Sequence, residues 1–181
     1  MLDFMIIGLP RSATTWVSNW LTTDHMFCLH DPLQKMHYTE WDHPNKYIPE
    51  RVRSGVCCTG IWRWPDWVNA HPAKKLIICR DLKSVNYSLD NVGLGEMDMQ
   101  DAELIDQIKG NRVRYESLFD IEIAQQVWEY LTNDPFSAHR YRALVEMAVQ
   151  PKFDNVVKDE QLQLRLFEEL TNEKNRIPDN S

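Results

Sequence analysis

Between Met5 and Leu21 the chain reads MIIGLPRSATTWVSNWL, and this is where residue types and spacing point most directly to chemistry. A short apolar run passes into Gly8 and Pro10. Arg11, Ser12, Thr14 and Thr15 then gather one cation and three hydroxyls just before a segment of helical character. Such a set suits an anion: successive backbone N–H groups at a strand-to-helix turn, the positive end of the helix and the hydroxyls all converge on oxygen ligands. Arg11 adds a planar fork that can hold two oxygens at once. The plainer reading is a strand-to-helix turn capped by Thr, with Arg11 in solvent.

The phosphate loop of nucleotide hydrolases has Gly first, Gly sixth, Lys seventh and Ser or Thr eighth. Here those positions are Gly8, Ala13, Thr14 and Thr15, so a hydroxyl replaces the lysine. Thr15 keeps an oxygen able to ligate magnesium. Nothing at position seven reaches across the terminal phosphates of a nucleoside triphosphate, and that charge contact is central to phosphoryl transfer. What remains is an anion nest without its triphosphate lysine.

The elements that must position these groups are legible from apolar patterning. Phe4 to Ile7 forms a short buried strand closed by Gly8 and Pro10, and TTWVSNWLTT starts a helix that buries Trp16, Val17, Trp20 and Leu21. KKLIICRD supplies a second strand, continuous and apolar from Leu76 to Cys79, as expected where both sheet faces are covered. The helix after it ends at Gly93, and GVCCTG and NRVRYES are weaker strand candidates. EMDMQDAELIDQIKG carries Glu96, Asp98, Asp101, Glu103 and Asp106 and reads as a helix with a solvated acidic face. In the C-terminal third, Ile123, Val127 and Leu131 recur every four residues, as do Leu162, Leu166 and Leu170, with a helix from about Ser137 to Val149 between them. Both stripes read as core packing. NDPFS and AVQPKFDN break the pattern, and the tail NEKNRIPDNS reads as frayed. The alternation predicts an α/β fold: a mostly parallel sheet covered by helices on both faces, like the phosphate-loop hydrolases, with a helical C-terminal third.

The 181 residues, 43% hydrophobic and 26% charged, suit one domain over 1–181. A formal net charge of -7 argues against general affinity for nucleic acid or acidic membranes, so any basic site is local. Cys28, Cys57, Cys58 and Cys79 lie in or beside apolar runs without metal-site spacing and read as reduced core thiols. The first apolar run begins within a few residues of the start, and no run approaches the ~20 apolar residues of a membrane span. The expectation is a cytoplasmic protein.

PRSATTW resembles the 5′-phosphosulfate loop of the sulfotransferases, whose pattern is Pro, Lys or Arg, Ser, Gly, Thr, Thr, often followed by Trp. Six of those seven positions match, and Ala13 stands for the Gly. If the backbone there takes a positive φ, Ala strains it. The resemblance implies that Pro10, Arg11, Ser12, Ala13, Thr14 and Thr15 hold the 5′ end of 3′-phosphoadenosine 5′-phosphosulfate, with no metal required. In IICRDLKSVNYSL it implies that Arg80, at a strand end, and Ser88, eight residues later on the following helix, bind the 3′-phosphate; without the resemblance, Arg80 pairs locally with Asp81 and Ser88 is an ordinary helix residue. VRYESLFDIEIAQQVWEYL is similar to a further family segment, with Tyr115, Glu116 and Leu118 kept and Ser117 replacing Asp. By that resemblance Tyr115 reaches the adenine and Trp16 stacks on its face, a kind of contact worth ~1–3 kcal/mol on nucleic-acid bases.

Sulfuryl transfer needs an acceptor hydroxyl or amine, a base within reach of its proton, and positive charge where the leaving oxygen develops its own. Arg11 suits the last role. The family places a His or Glu base commonly about twenty residues past the loop cation; among His30, Asp31, His37, Glu40 and His43, Asp31 is the first choice and His30 the second, since Asp31 lies twenty residues beyond Arg11. Trp62, Trp64 and Trp67 either line an acceptor pocket or pack. The acceptor is left open among small molecules, carbohydrates and peptides. The alternatives are a divergent small-molecule kinase, disfavoured by Thr14 where Lys belongs, and a non-catalytic nucleotide-binding or interaction protein on the same scaffold.

Overall fold

The computed structural model describes residues 1–42, 53–147 and 159–174. Five strands, β1 (Phe4–Gly8), β2 (Met26–His30), β3 (Arg53–Cys58), β4 (Lys74–Cys79) and β5 (Asn111–Arg114), form one sheet in the order β2-β3-β1-β4-β5. Every pairing in it is parallel. The helices are α1 (Thr14–Leu21), α2 (Pro65–Ala70), α3 (Leu82–Asp90), α4 (Met99–Glu103), α5 (Ile121–Thr132), α6 (Ala138–Glu146) and α7 (Glu160–Lys174).

The sheet is buried on both faces because alternate residues of its central strands point opposite ways. Met5, Ile7, Val56, Cys58 and Ile77 face one core, which also takes Val68 of α2, Val85 and Leu89 of α3 and Leu166 of α7. Phe4, Ile6, Cys57, Leu76 and Ile78 face the other, with Trp16, Val17, Trp20 and Leu21 of α1, Val127, Trp128 and Leu131 of α5, and Tyr141 of α6. The strands and helices expected from continuous apolar runs are all present. β2 is an addition. It is an edge strand whose Met26 and Cys28 are buried while Phe27 and Leu29 are half-buried, an alternation too short to stand out in the sequence.

The acidic segment is less helical than its pattern suggested. Asp98 caps α4 by accepting from the Gln100 N–H at 2.8 Å, and after Glu103 the chain tightens into a 3₁₀ turn over Leu104–Gln107. α6 ends at Glu146; Val149, the AVQPKFDN break and most of the tail lie outside the described residues. The thiols of Cys28, Cys57 and Cys58 are free and buried, and burial pushes all three well above the ordinary thiol range. Among the described residues no helix is long and apolar enough to cross a membrane.

One close approach fixes the register at the start of β1. Phe4 pairs with Gly55 across to β3, and a Cβ on Gly55 would sit 1.9 Å from Cε2 of the Phe4 ring. Phe4 is fully buried, so the ring has nowhere to retreat. Gly55→Ala should cost about 2–3 kcal/mol by overpacking, read as a lower urea midpoint, and Phe4→Leu should recover part of that loss.

Candidate active site at the carboxyl edge of the sheet

Parallel pairing puts the carboxyl ends of all five strands on one edge, and each end delivers a candidate residue. β1 leads into the loop 9–13, β2 into Asp31 from His30, β3 into Thr59, β4 into Arg80 and β5 into Tyr115. The chain runs from β1 outward to β2, returns through β3, and crosses to the far side at β4, so β1 lies where the winding reverses. Open α/β sheets bind their ligands at such a point.

The loop owes its shape to two left-handed residues, Arg11 (φ 64) and Ala13 (φ 59). Ala13 is the N-cap of α1 and makes no side-chain cap. The opening N–H groups of α1 therefore have no side-chain acceptor at the cap, whereas α3, α5 and α6 are capped by Asp81, Asp120 and Ser137. Ser12 is fully buried, and its Oγ has no hydrogen-bond partner among the described residues. A buried hydroxyl in that condition costs free energy unless a ligand satisfies it.

Arg80 reaches over this loop. Its guanidinium donates to the backbone carbonyl of Arg11 and lies 4.1 Å above the Tyr115 ring, while its Nε is buried without a partner among the described residues. Asp81, the neighbour that a local ion pair with Arg80 would have used, caps α3 instead by accepting from the Ser84 N–H at 2.8 Å. Hydrogen bonds from Ser84 hold its carboxyl below the usual range. Ser88 accepts a hydrogen bond from Arg11 Nε at 3.0 Å. Thus Arg11, Ser12, Arg80, Ser88 and Tyr115 meet in one region above the uncapped end of α1. Trp16 is 5% exposed, stacked on Trp20 at 5.3 Å and flanked by Phe119 at 5.5 Å. In this structure its ring is therefore part of an aromatic cluster beside the loop, and the half-exposed face nearby belongs to Phe119 and Tyr115, 5.5 Å apart.

On the other side of the loop, His30 Nε2 lies 3.1 Å from Thr15 Oγ1, 3.3 Å from Thr14 Oγ1 and 3.4 Å from Asp31 Oδ2. Asp31 has left the strand conformation (φ 43), and its Oδ1 accepts from the Thr59 N–H at 2.6 Å and the Thr59 hydroxyl at 3.0 Å. Pro10, Asp31 and Thr59 line a cavity of ≈ 570 Å³. Its remaining wall is largely apolar, from Leu33, Trp64, Leu104, Leu166, Phe167 and Leu170, with an Arg63–Asp101 ion pair at 3.3 Å. That is the volume of a small-molecule site.

Several sequence expectations are refined here. Leu166 and Leu170, read as core packing, pack against the core and also line the cavity, and Asp101 of the acidic segment lines it too. Of the three tryptophans, Trp64 lines the cavity, Trp62 is buried with its Nε1 bonded to the Thr59 carbonyl at 2.8 Å, and Trp67 packs against Tyr38, Trp41 and His71. His37 is buried and hydrogen-bonded to Thr39 and Glu169, Glu40 is exposed, and neither lines the cavity. His43 lies outside the described residues. Thr59 escaped the sequence reading, although a Thr just past a candidate strand was a signal, since parallel sheets place such residues at the ligand edge. Among the described residues no group of three or more His, Cys, Asp or Glu could hold a metal ion.

The strain at Ala13 has a measurable consequence. A left-handed L-residue costs roughly 1–2 kcal/mol, and Gly gives back about 0.4–1 kcal/mol through the freer unfolded chain. Ala13→Gly should therefore stabilise the protein by about 0.5–1 kcal/mol in denaturant unfolding; destabilisation would mean that the methyl group packs usefully.

No protein-family model matches the sequence, and no curated protein is recognisably similar to it. Solved structures do match. The mouse sulfotransferase SULT7A1, complexed with PAP, is 15% identical with a TM-score of 0.54, the match covering 98% of this chain and 85% of that one. A sulfotransferase from Alicyclobacillus acidocaldarius is 11% identical with a TM-score of 0.52, covering 95% of this chain and 92% of that one. At such identities the likeness speaks of architecture, and the architecture of this chain is the α/β fold of the sulfotransferases.

Proposed function

We propose that the protein is a sulfotransferase that moves a sulfuryl group from 3′-phosphoadenosine 5′-phosphosulfate to a hydroxyl or amine of a small, largely apolar acceptor. The observation that carries this reading is the convergence of Arg11, Arg80, Ser88 and Tyr115 above an uncapped helix, beside a cavity that carries Asp31. Three buried polar atoms in or beside that region, Ser12 Oγ, Trp16 Nε1 and Arg80 Nε, lack partners among the described residues, and all three can donate, which fits a ligand rich in acceptor oxygens. PAP, adenosine 3′,5′-bisphosphate, is the ligand of one neighbour in fold. The triphosphate alternative lacks its lysine at Thr14.

In this reading the donor supplies a sulfuryl group whose leaving oxygen gains negative charge as the bond to sulfur breaks. The first-turn N–H groups of α1 and the hydroxyls of Ser12, Thr14 and Thr15 hold its 5′ end. Arg80 and Ser88 hold the 3′-phosphate, and Tyr115, already under the Arg80 guanidinium, borders the base with Trp16 behind it. Arg11 balances the charge on the leaving oxygen, an interaction that strengthens only as the transition state forms. In the structure Arg11 is a hydrogen bond away from Ser88, so loop cation and helix hydroxyl share one region.

Asp31 takes the acceptor's proton. It borders the cavity, whereas His30 does not, and His30 bridges Asp31 to Thr14 and Thr15. The six apolar side chains of the cavity wall suit an acceptor with an apolar body, and Gln34, Gln163 and Thr171 in the same wall leave places for its polar groups.

Labelled-sulfate transfer tests the activity. Arg11→Ala should lower kcat by roughly 10²–10³-fold, the range for removing a donor that stabilises a developing oxyanion, and Arg11→Lys should recover much of it. Full activity in Arg11→Ala would contradict catalysis in this loop. Arg80→Ala and Ser88→Ala should weaken adenosine 3′,5′-bisphosphate but hardly affect adenosine 5′-phosphosulfate, which lacks the 3′-phosphate. Equal losses for both ligands would show that these residues do not read that group.

A further inference from the structure

We infer that Thr59 is a positioning residue for Asp31, fixing which carboxylate oxygen receives the acceptor's proton; this rests on the sulfotransferase reading above. β2 and β3 run side by side with His30 opposite Cys57, and the Asp31 N–H continues the ladder to the Cys57 carbonyl at 2.7 Å. Asp31 and Thr59 therefore leave adjacent strands together. At that point the Asp31 backbone turns left-handed and Pro32 opens a 3₁₀ turn. The ladder has ended there, and the carboxylate's orientation depends on what binds it.

Thr59 binds it twice. Its N–H at 2.6 Å and its hydroxyl at 3.0 Å both end on Oδ1. Thr59 is itself anchored, because Nε1 of the fully buried Trp62 donates to its carbonyl at 2.8 Å. One carboxylate oxygen is thereby committed to Thr59. The other, Oδ2, faces His30 Nε2 at 3.4 Å, and that nitrogen also touches the hydroxyls of Thr14 and Thr15. Asp31 and Thr59 both border the cavity beside Pro10 of the loop. A base works when one lone pair is held in line with the proton it takes, and its efficiency falls steeply with misplacement. Thr59 supplies that alignment. It gives no proton to the reaction: the acceptor's proton passes to Asp31 Oδ2 as the acceptor oxygen or nitrogen bonds sulfur, while the bond from sulfur to the donor's bridging phosphate oxygen breaks and that oxygen leaves with the electron pair.

Thr59→Val keeps the shape and the backbone N–H while removing the hydroxyl, and Thr59→Ser restores it. With a panel of phenols, aliphatic alcohols and amines as acceptors, Thr59→Val should lower kcat by roughly tenfold. The acceptor KM and the Kd for adenosine 3′,5′-bisphosphate should stay within about twofold, and Thr59→Ser should recover most of the rate. In an Asp31→Asn background, Thr59→Val should add no further loss, because the partner whose orientation it sets is already disabled. A Thr59 that merely supported the fold would cost the same factor in both backgrounds. Wild-type kcat in Thr59→Val, or losses that multiply in the double variant, would overturn the inference alone. A wild type that binds the bisphosphate yet transfers sulfate to none of the panel would overturn the sulfotransferase reading, and this inference with it.

Discussion

Two left-handed residues, Arg11 and Ala13, shape the five residues between β1 and α1, and the rest of the site is arranged around that turn. It leaves the first turn of α1 without a side-chain cap and buries the Ser12 hydroxyl without a partner among the described residues. It also presents the Arg11 carbonyl to Arg80. A backbone so shaped gathers uncapped N–H groups and a cation in one place, a set whose chemistry suits an anion. The cost of Ala in a conformation that suits Gly is modest beside that, and strain of this kind collects at binding loops. Arg80 fastens the turn from above, and its position over Tyr115 ties the ends of β4 and β5 to the same loop.

The second constraint is the all-parallel sheet. It makes five strand ends neighbours, so groups distant in sequence meet without special devices. His30 and Asp31 come from β2, Thr59 from β3, Arg80 from β4 and Tyr115 from β5. The loop divides this edge into two regions. One, toward β4 and β5, gathers the guanidinium of Arg80, the Ser88 hydroxyl and an aromatic ring. The other, toward β2 and β3, gathers a carboxylate, an imidazole and, beside them, an open cavity with α7 along one wall. α7 is held there by Gln163 donating to the Leu33 carbonyl at 2.8 Å and by Glu169 meeting His37 at 3.1 Å.

The parts of this arrangement that were legible in sequence are those written as continuous apolar runs ending in turn residues. Phe4 to Ile7 before Gly8 and Pro10, and Leu76 to Cys79 before Arg80, announce central strands, and Arg11, Ser12 and Arg80 follow directly after them. The cavity side was less legible. β2 has an apolar run, Met26 to Leu29, as long as those of β1 and β4 but no β-branched residue to mark it as a strand, so in the sequence Asp31 and His30 stand out by their distance from Arg11 rather than by the strand that carries them. Thr59 follows a strand whose apolar residues are Val56 and two cysteines, which gave only a weak signal. The Leu162, Leu166 and Leu170 stripe correctly marked a helix face that packs on the core, but periodicity cannot tell a face that fills a core from one that also walls a cavity.

In the proposed function this turn holds the 5′ end of a nucleotide whose 3′-phosphate is bound by Arg80 and Ser88, without a triphosphate lysine at Thr14. Calorimetric titration of the wild-type protein with adenosine 3′,5′-bisphosphate, beside ATP with magnesium, tests this most directly. The bisphosphate should bind tightly with or without magnesium, and ATP more weakly by at least about tenfold, a difference of ~1.4 kcal/mol. ATP with magnesium binding as tightly as the bisphosphate would contradict that reading.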